Sequence, residues 1–306
     1  KWLYENRRDG RGRVPSDPEF DSRTLQMPAN WAKTIGIGGG KLTPAQKQWW
    51  DFKRNNFDCI LFFKVGKFYE LFHMDADIGV KELSSGWGNS VEPMIFMRGA
   101  QGHSGFPETS YGKFANILVQ RGYRVMRIEQ TETPKALAEW NKKQRAGSKR
   151  KVVERSICAV VTPGTRTNGA IDFCYGEQDK GPSVLLSIVE IPVSGEDGNM
   201  NNTAFCEYGV FFGETQTCSF RIGQFVDDKQ RNRLRTLLAS IRPKEVIYAA
   251  CAQPGAEGAL SEDSMRILKA ECNPSCVFQS INAYGEKWNT EQVLKHLRDS
   301  FDMINK

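Results

Sequence analysis

The sequence predicts an α/β protein with two sheet-bearing domains, and three observations carry that expectation. Between residues 44 and 168, short apolar runs bounded by turn residues alternate with helix-start signals. A polar, glycine-rich stretch at residues 168–182 breaks the pattern. After it come three strand-like runs, a helix and a further strand, the order of an α/β sheet domain. A chain of 306 residues suits about two domains.

Residues 1–43 hold little apolar periodicity. The segment RRDGRGRVPSDPEF is charged and broken by Pro and Gly, and reads as an extended arm and linker. TIGIGGGKLT, residues 34–43, resembles a phosphate loop only superficially. Its glycine spacing is one residue short, Lys41 is followed by Leu42, and no buried strand precedes it. Thr43-Pro44 supplies a cap and a first-turn proline for a helix running through KQWWDFKRNN. Residues 59–65 predict a buried strand, Gly66-Lys67 a turn, and residues 68–74 a second strand. Residues 111–120 are helical by the spacing of Phe114, Ile117 and Leu118. A strand over 123–130, a helix from Thr133-Pro134 to Gly147 and a strand over 157–165 follow. In the second half, PSVLLSIVEI and AFCEYGVFFGETQTCSFRIGQF predict a three-strand meander. Residues 227–241 predict a basic helix and EVIYAA a strand, and the last forty residues read as helix and loop.

Composition narrows the functional classes. The hydrophobic fraction is 40% and the charged fraction 25%, as in ordinary globular chains. A net charge of +6 gives mild attraction to polyanions. No apolar run approaches the ~20 residues of a membrane helix, so no membrane partner is expected. The polar, basic start has no secretory h-region, and a chain opening on Lys1 is expected to be a fragment. The eight cysteines lie mostly alone in apolar runs, without any CxxC, which fits a reducing compartment. Cys272 and Cys276 form a C-x3-C pair with no second pair nearby, so neither metal nor catalytic residue is expected.

One stretch resists a purely structural account. FFKVGKFYELF, residues 62–72, places two lysines, a glycine and a glutamate among five aromatics. On a strand, Phe68 and Glu70 point to the same face. A ring beside a carboxylate, with Lys64 and Lys67 around them, suits a nucleobase better than a core. The ring stacks, the carboxylate accepts a hydrogen bond from a base edge, and the lysines neutralise phosphate. Strand aromatics are nevertheless more often core, and this stretch alone leaves both readings open.

The same stretch resembles the Phe-x-Glu motif of the MutS family in its GKFYELF context, here Phe68-Tyr69-Glu70. In order along the chain, HMDADIGVKEL, GHSGFPE, LVQRGYRVMRIEQTETP and VVTPGT also resemble that family. DPEFDSRTL, HMDA and IEQTETP resemble its eukaryotic branch. The resemblance covers residues 14–168 most clearly, while GQFVDD and RPKEVIY extend it more weakly. It implies a mismatch-recognition domain with a mixed sheet over 44–168 and an RNase H-like connector domain over 169–306. The implied function is recognition of mismatched double-stranded DNA in post-replicative repair. Phe68 would wedge into the minor groove, Glu70 would contact the mispaired base, and Val65, Lys67, Tyr69, Met97 and Arg98 would share the site. It further implies a second MutS homologue as heterodimer partner and a nuclear location. No cofactor is expected in this segment, with ATP and Mg2+ bound by a domain outside it. The stretch SSGWGNSVEP, residues 84–93, is longer than the family's usual link.

Other candidates have plainer readings. His73 reads as a strand-edge hydrogen-bonder and His103 as a structural residue of a Gly-rich loop. Lys142, Lys143, Arg145, Lys149, Arg150 and Lys151 form a basic run, either a solvated face or a contact to the DNA backbone. Lys64 is a further backbone candidate. Arg231, Arg233 and Arg235 read as a solvated helix face. Asp227-Asp228 could imitate a paired-carboxylate metal site, although adjacent strand residues point apart. Two alternatives therefore stand beside mismatch recognition. One is a single-stranded DNA or RNA module stacking bases on Phe68 and Tyr69, and the other a metal-dependent RNase H-like nuclease.

Overall fold

A computed structural model of the chain describes residues 6–17, 20–29, 31, 42–84, 102–166, 182–192, 205–250, 259–282, 291, 294–295 and 298. Within these the chain builds two five-stranded mixed sheets, each backed by helices. No described helix is long and apolar enough to cross a membrane.

The first sheet grows from a hairpin. Strand β1 (Cys59–Val65) is apolar nearly throughout and turns at Gly66-Lys67 into β2 (Phe68–Phe72). Gly66 has φ +60°, a left-handed conformation that glycine adopts without steric cost. The chain then forms α2 (His73–Ser84), preceded in sequence by α1 (Pro44–Lys53), and returns as β3 (His103–Pro107). After α3 (Tyr111–Gln120), strand β4 (Arg124–Gln130) pairs parallel with β1. Helix α4 (Pro134–Lys142) leads to β5 (Arg155–Val161), antiparallel to β4. The sheet order is β3-β2-β1-β4-β5.

Strand alternation sends the two sides of this sheet into separate cores. Ile60, Phe62, Tyr69 and Leu71 pack with Leu83, Phe114 and Leu118 of α2 and α3. Leu61, Phe63 and Phe72 pack with Trp49 and Trp50 of α1 on the other side. A buried ion pair ties α1 to α2. Lys53 Nζ lies 2.6 Å from Asp75 Oδ1 and also donates to the Cys59 carbonyl, while Asp75 accepts from the Leu61 amide.

The second sheet contains the expected meander of β6 (Val184–Pro192), β7 (Cys206–Glu214) and β8 (Ser219–Asp227). Helix α5 (Asn232–Ile241) leads to β9 (Glu245–Ala250), and α6 (Glu262–Glu271) leads to β10 (Val277–Asn282). Strands β9 and β10 join in parallel, giving the order β10-β9-β6-β7-β8. Leu234 and Leu238 of α5 and Ile267 and Leu268 of α6 close the core on one side. The sheets meet where the turn after β5 reaches the start of β9. Thr162 Oγ1 and the Gly164 amide both donate to the Glu245 carboxylate, which is buried.

Several expectations change. Residues 6–17 and 20–29 are not an extended arm. Asp9 is buried and accepts from the Arg11, Arg13 and Asp21 amides, and Leu25 enters the core under α1. Arg7 lies 4.3 Å from the Phe57 ring centroid. The charged residues therefore satisfy one another locally while Leu25, with Met27 against the same core, anchors the segment. The strand expected over 68–74 stops at Phe72, because His73 adopts φ +52° and starts α2. His103 lies on an edge strand instead of a loop, and β10 was not expected at all. Helix α4 ends at Lys142, short of Gly147. The phosphate-loop-like stretch falls mainly outside the described residues. So do the 85–93 part of the long link, most of the 168–182 break, and Met97 and Arg98.

Candidate nucleic-acid interface

The β1–β2 hairpin presents the segment that raised the question. Val65 pairs with Phe68 and Phe63 with Glu70, so these four residues share one face at the hairpin end. Phe68 is 51% exposed, whereas Phe62, Phe63, Tyr69, Leu71 and Phe72 are all buried. One ring of the five is thus left in solvent, at the apex beside exposed Lys67.

Glu70 stands two residues further in, half-buried. It pairs with Gly105 of β3 across the sheet. A Cβ at residue 105 would sit 3.0 Å from the Tyr69 carbonyl oxygen, so glycine allows the close approach of β3 to the β2 backbone, while at 3.7 Å from Glu70 Cγ it would only touch that side chain. Glu70 Oε2 lies 3.3 Å from His103 Nε2. The His103 ring stacks on Phe72, centroids 5.0 Å apart and 30° between planes. From the far side of β1, Arg155 adds a fixed positive field. Its guanidinium lies 4.5 Å from the Phe63 ring centroid and donates to the Lys64 carbonyl and to Gln48. Burial lowers the Arg155 pKa and the Glu70 charge opposes that shift.

Other members of the predicted set fall elsewhere. Tyr69 points away from Phe68 into the core at 1% exposure, because adjacent strand residues face opposite ways. Its hydroxyl donates to Glu129 and accepts from Arg127 Nε at 2.9 Å, and burial raises its pKa. A stacking platform of Phe68 with Tyr69 is therefore not formed. Lys64 is 8% exposed and paired with Glu108, so it is not available to a phosphate in this arrangement. Val65 is half-buried against the core under α1, with part of its surface beside Phe68.

The basic run divides. Lys142, Lys149 and Lys151 are exposed. Arg150 instead pairs with Glu132 and Glu154 and lies 4.2 Å from the Trp140 ring centroid. Arg231 is buried against Glu190 and is not on a solvated face. Asp227 accepts from the Arg233 and Leu234 amides, and Asp228 from Asn232, so the acidic pair caps α5. His73 packs against Trp49 and Trp50, and burial pushes its pKa down to about 4. The sequence reading missed Gly105 and Arg155. Gly105 lies inside the quoted GHSGFPE, whereas an arginine in a strand gives no signal that it packs on Phe63.

An exposed ring and a half-buried carboxylate thus share one face at the end of a hairpin in a mixed sheet. Residues 43–170 match the MutS domain I family, and the chain belongs to the MutS family. It is similar to DNA mismatch repair protein Msh6 of Homo sapiens, 38% identical over 301 residues, covering 97% of this chain and 20% of the relative. The Gallus gallus Msh6 is 37% identical over 299 residues, with 97% and 20% covered. Arabidopsis thaliana MSH6 is 36% identical over 306 residues, with 100% and 20% covered. The chain spans about a fifth of the length of the curated relatives it matches.

Proposed function

We propose that this chain is the mismatch-sensing part of a DNA mismatch repair protein. Phe68 enters the minor groove and wedges beside a mispaired base, and Glu70 accepts a hydrogen bond from that base. The observation that carries this reading is the exposure of Phe68 at a hairpin apex whose other aromatics are buried. Leaving a large ring in water sacrifices burial energy, and a wedge recovers it against unstacked bases. Unstacking costs a few kcal/mol and least at a mispair, so discrimination comes from deformability. A carboxylate near phosphates lowers general affinity, which sharpens that difference. Lys67 and the exposed lysines of the basic run supply phosphate contacts that position without reading sequence.

The rest of the proposal concerns the whole protein. It works in the nucleus as a heterodimer with a second MutS homologue, and an ATP- and Mg2+-binding domain outside this segment drives its cycle. Residues 169–306 act as the connector between the DNA-reading domain and that remainder. The test uses the full-length heterodimer. Phe68→Ala abolishes the preference for mismatched over paired duplex while the fold is retained. An undiminished preference would sink the reading.

A further inference from the structure

We infer that His103 is a positioning residue for Glu70, fixing the carboxylate that meets the mispaired base. This rests on the proposed reading of Glu70 and deepens it. Two features of β2 and β3 converge on the contact. His103 Nε2 is 3.3 Å from Glu70 Oε2, a contact that is ionic only when the imidazole carries a proton on both nitrogens. The imidazole is itself immobilised by stacking on Phe72, which is 7% exposed.

The physical consequence is preorganisation. A glutamate side chain free on a surface loses rotamer entropy when it accepts a hydrogen bond. With Oε2 beside His103, Oε1 is the oxygen assigned to the base. Arg155 contributes a fixed positive charge from the opposite side of β1 but comes no nearer by any hydrogen bond to Glu70 among the described contacts. His103 acts through Glu70 and is not assigned a contact to DNA.

The experiment measures mismatched and paired duplex affinities in the full-length heterodimer. His103→Ala lowers the mismatch-to-paired ratio by roughly three- to tenfold, the range of one ordinary net hydrogen bond. His103→Phe keeps a ring against Phe72 without the nitrogen and gives the same loss, which separates positioning from packing. His103→Gln retains a donor and restores most of the ratio. In a Glu70→Ala background, His103→Ala has no further effect. The inference is overturned if His103→Phe leaves the ratio intact, or if His103→Ala lowers it equally with Glu70 absent. If Glu70→Ala itself leaves the ratio unchanged, the reading of Glu70 fails and this inference with it. A loss with Glu70→Ala and none with His103→Phe removes only the inference.

Discussion

Phe68 and Tyr69 are adjacent in the chain, yet Phe68 is 51% exposed and Tyr69 1% exposed. The alternation of a β-strand sends them to opposite faces. Tyr69 ends in a core with Phe62, Phe106 and Tyr111, and Phe68 ends half in solvent opposite Val65.

Stability therefore separates the two rings. Phe68→Ala shifts unfolding free energy by less than about 0.5 kcal/mol, as for a surface position. Tyr69→Ala costs about 3–5 kcal/mol, the range for a large buried aromatic. Urea unfolding of the two variants checks both, and a large loss from Phe68→Ala would place that ring in the core.

The Lys53–Asp75 pair is fully buried, and burial raises the Asp75 pKa against the pull of Lys53. Lys53→Met leaves the carboxyl without its cation and costs about 3–5 kcal/mol. Adding Asp75→Leu removes the orphaned group and recovers part of the loss. A double-mutant cycle by chemical denaturation measures the coupling, and strictly additive effects would show that the two do not act as a pair.

His73 gives a pH signature. Its folded pKa is pushed down to about 4 from an ordinary value of 6.5. Between those values the unfolded chain takes up a proton that the folded chain excludes, so His73 costs stability as pH falls through this window. His73→Asn suits the positive φ and removes the titration. The expected outcome is a shallower loss of stability from pH 6.5 to 4 in the variant than in the parent. Parallel pH curves would refute the assignment.

Charge contacts to DNA are predicted for the exposed lysines alone. Replacing Lys142, Lys149 and Lys151 with Ala flattens the log–log salt slope of binding by at most about three units. The change is similar for mismatched and paired duplexes, since phosphate contacts do not read bases. Arg150→Ala acts differently. It releases Glu132, Glu154 and Trp140, and shows first as a lower melting temperature. An unchanged slope in the triple variant makes the run a solvated face.

Much of the fold was legible in local patterns. Thr43-Pro44 announced α1, and the structure adds the reciprocal bond from the Thr43 amide to the Gln46 side chain. The apolar run of β1, the Gly66-Lys67 turn and the meander of β6, β7 and β8 also carried their own signals. Strand β3 did not, because His-Ser-Gly-Phe-Pro is short and weak in strand formers. Pairing with β2 holds it in place. The basic residues were equally deceptive. Lys64, Arg150 and Arg231 look like surface charges in one dimension, and each has an acidic partner distant in sequence.

The sequence by itself determined the paired ring and carboxylate, since a spacing of two on a strand fixes a common face. It also determined the turn that carries them to an apex. Only the tertiary structure decided which of the five aromatics remains in solvent, because burial depends on what packs over each face. Helices α2 and α3 cover Tyr69, and α1 covers Phe63 and Phe72, whereas Phe68 belongs to neither core and keeps half of its surface in solvent. Tertiary pairing likewise brought His103 beside Glu70, across a register that no local pattern encodes.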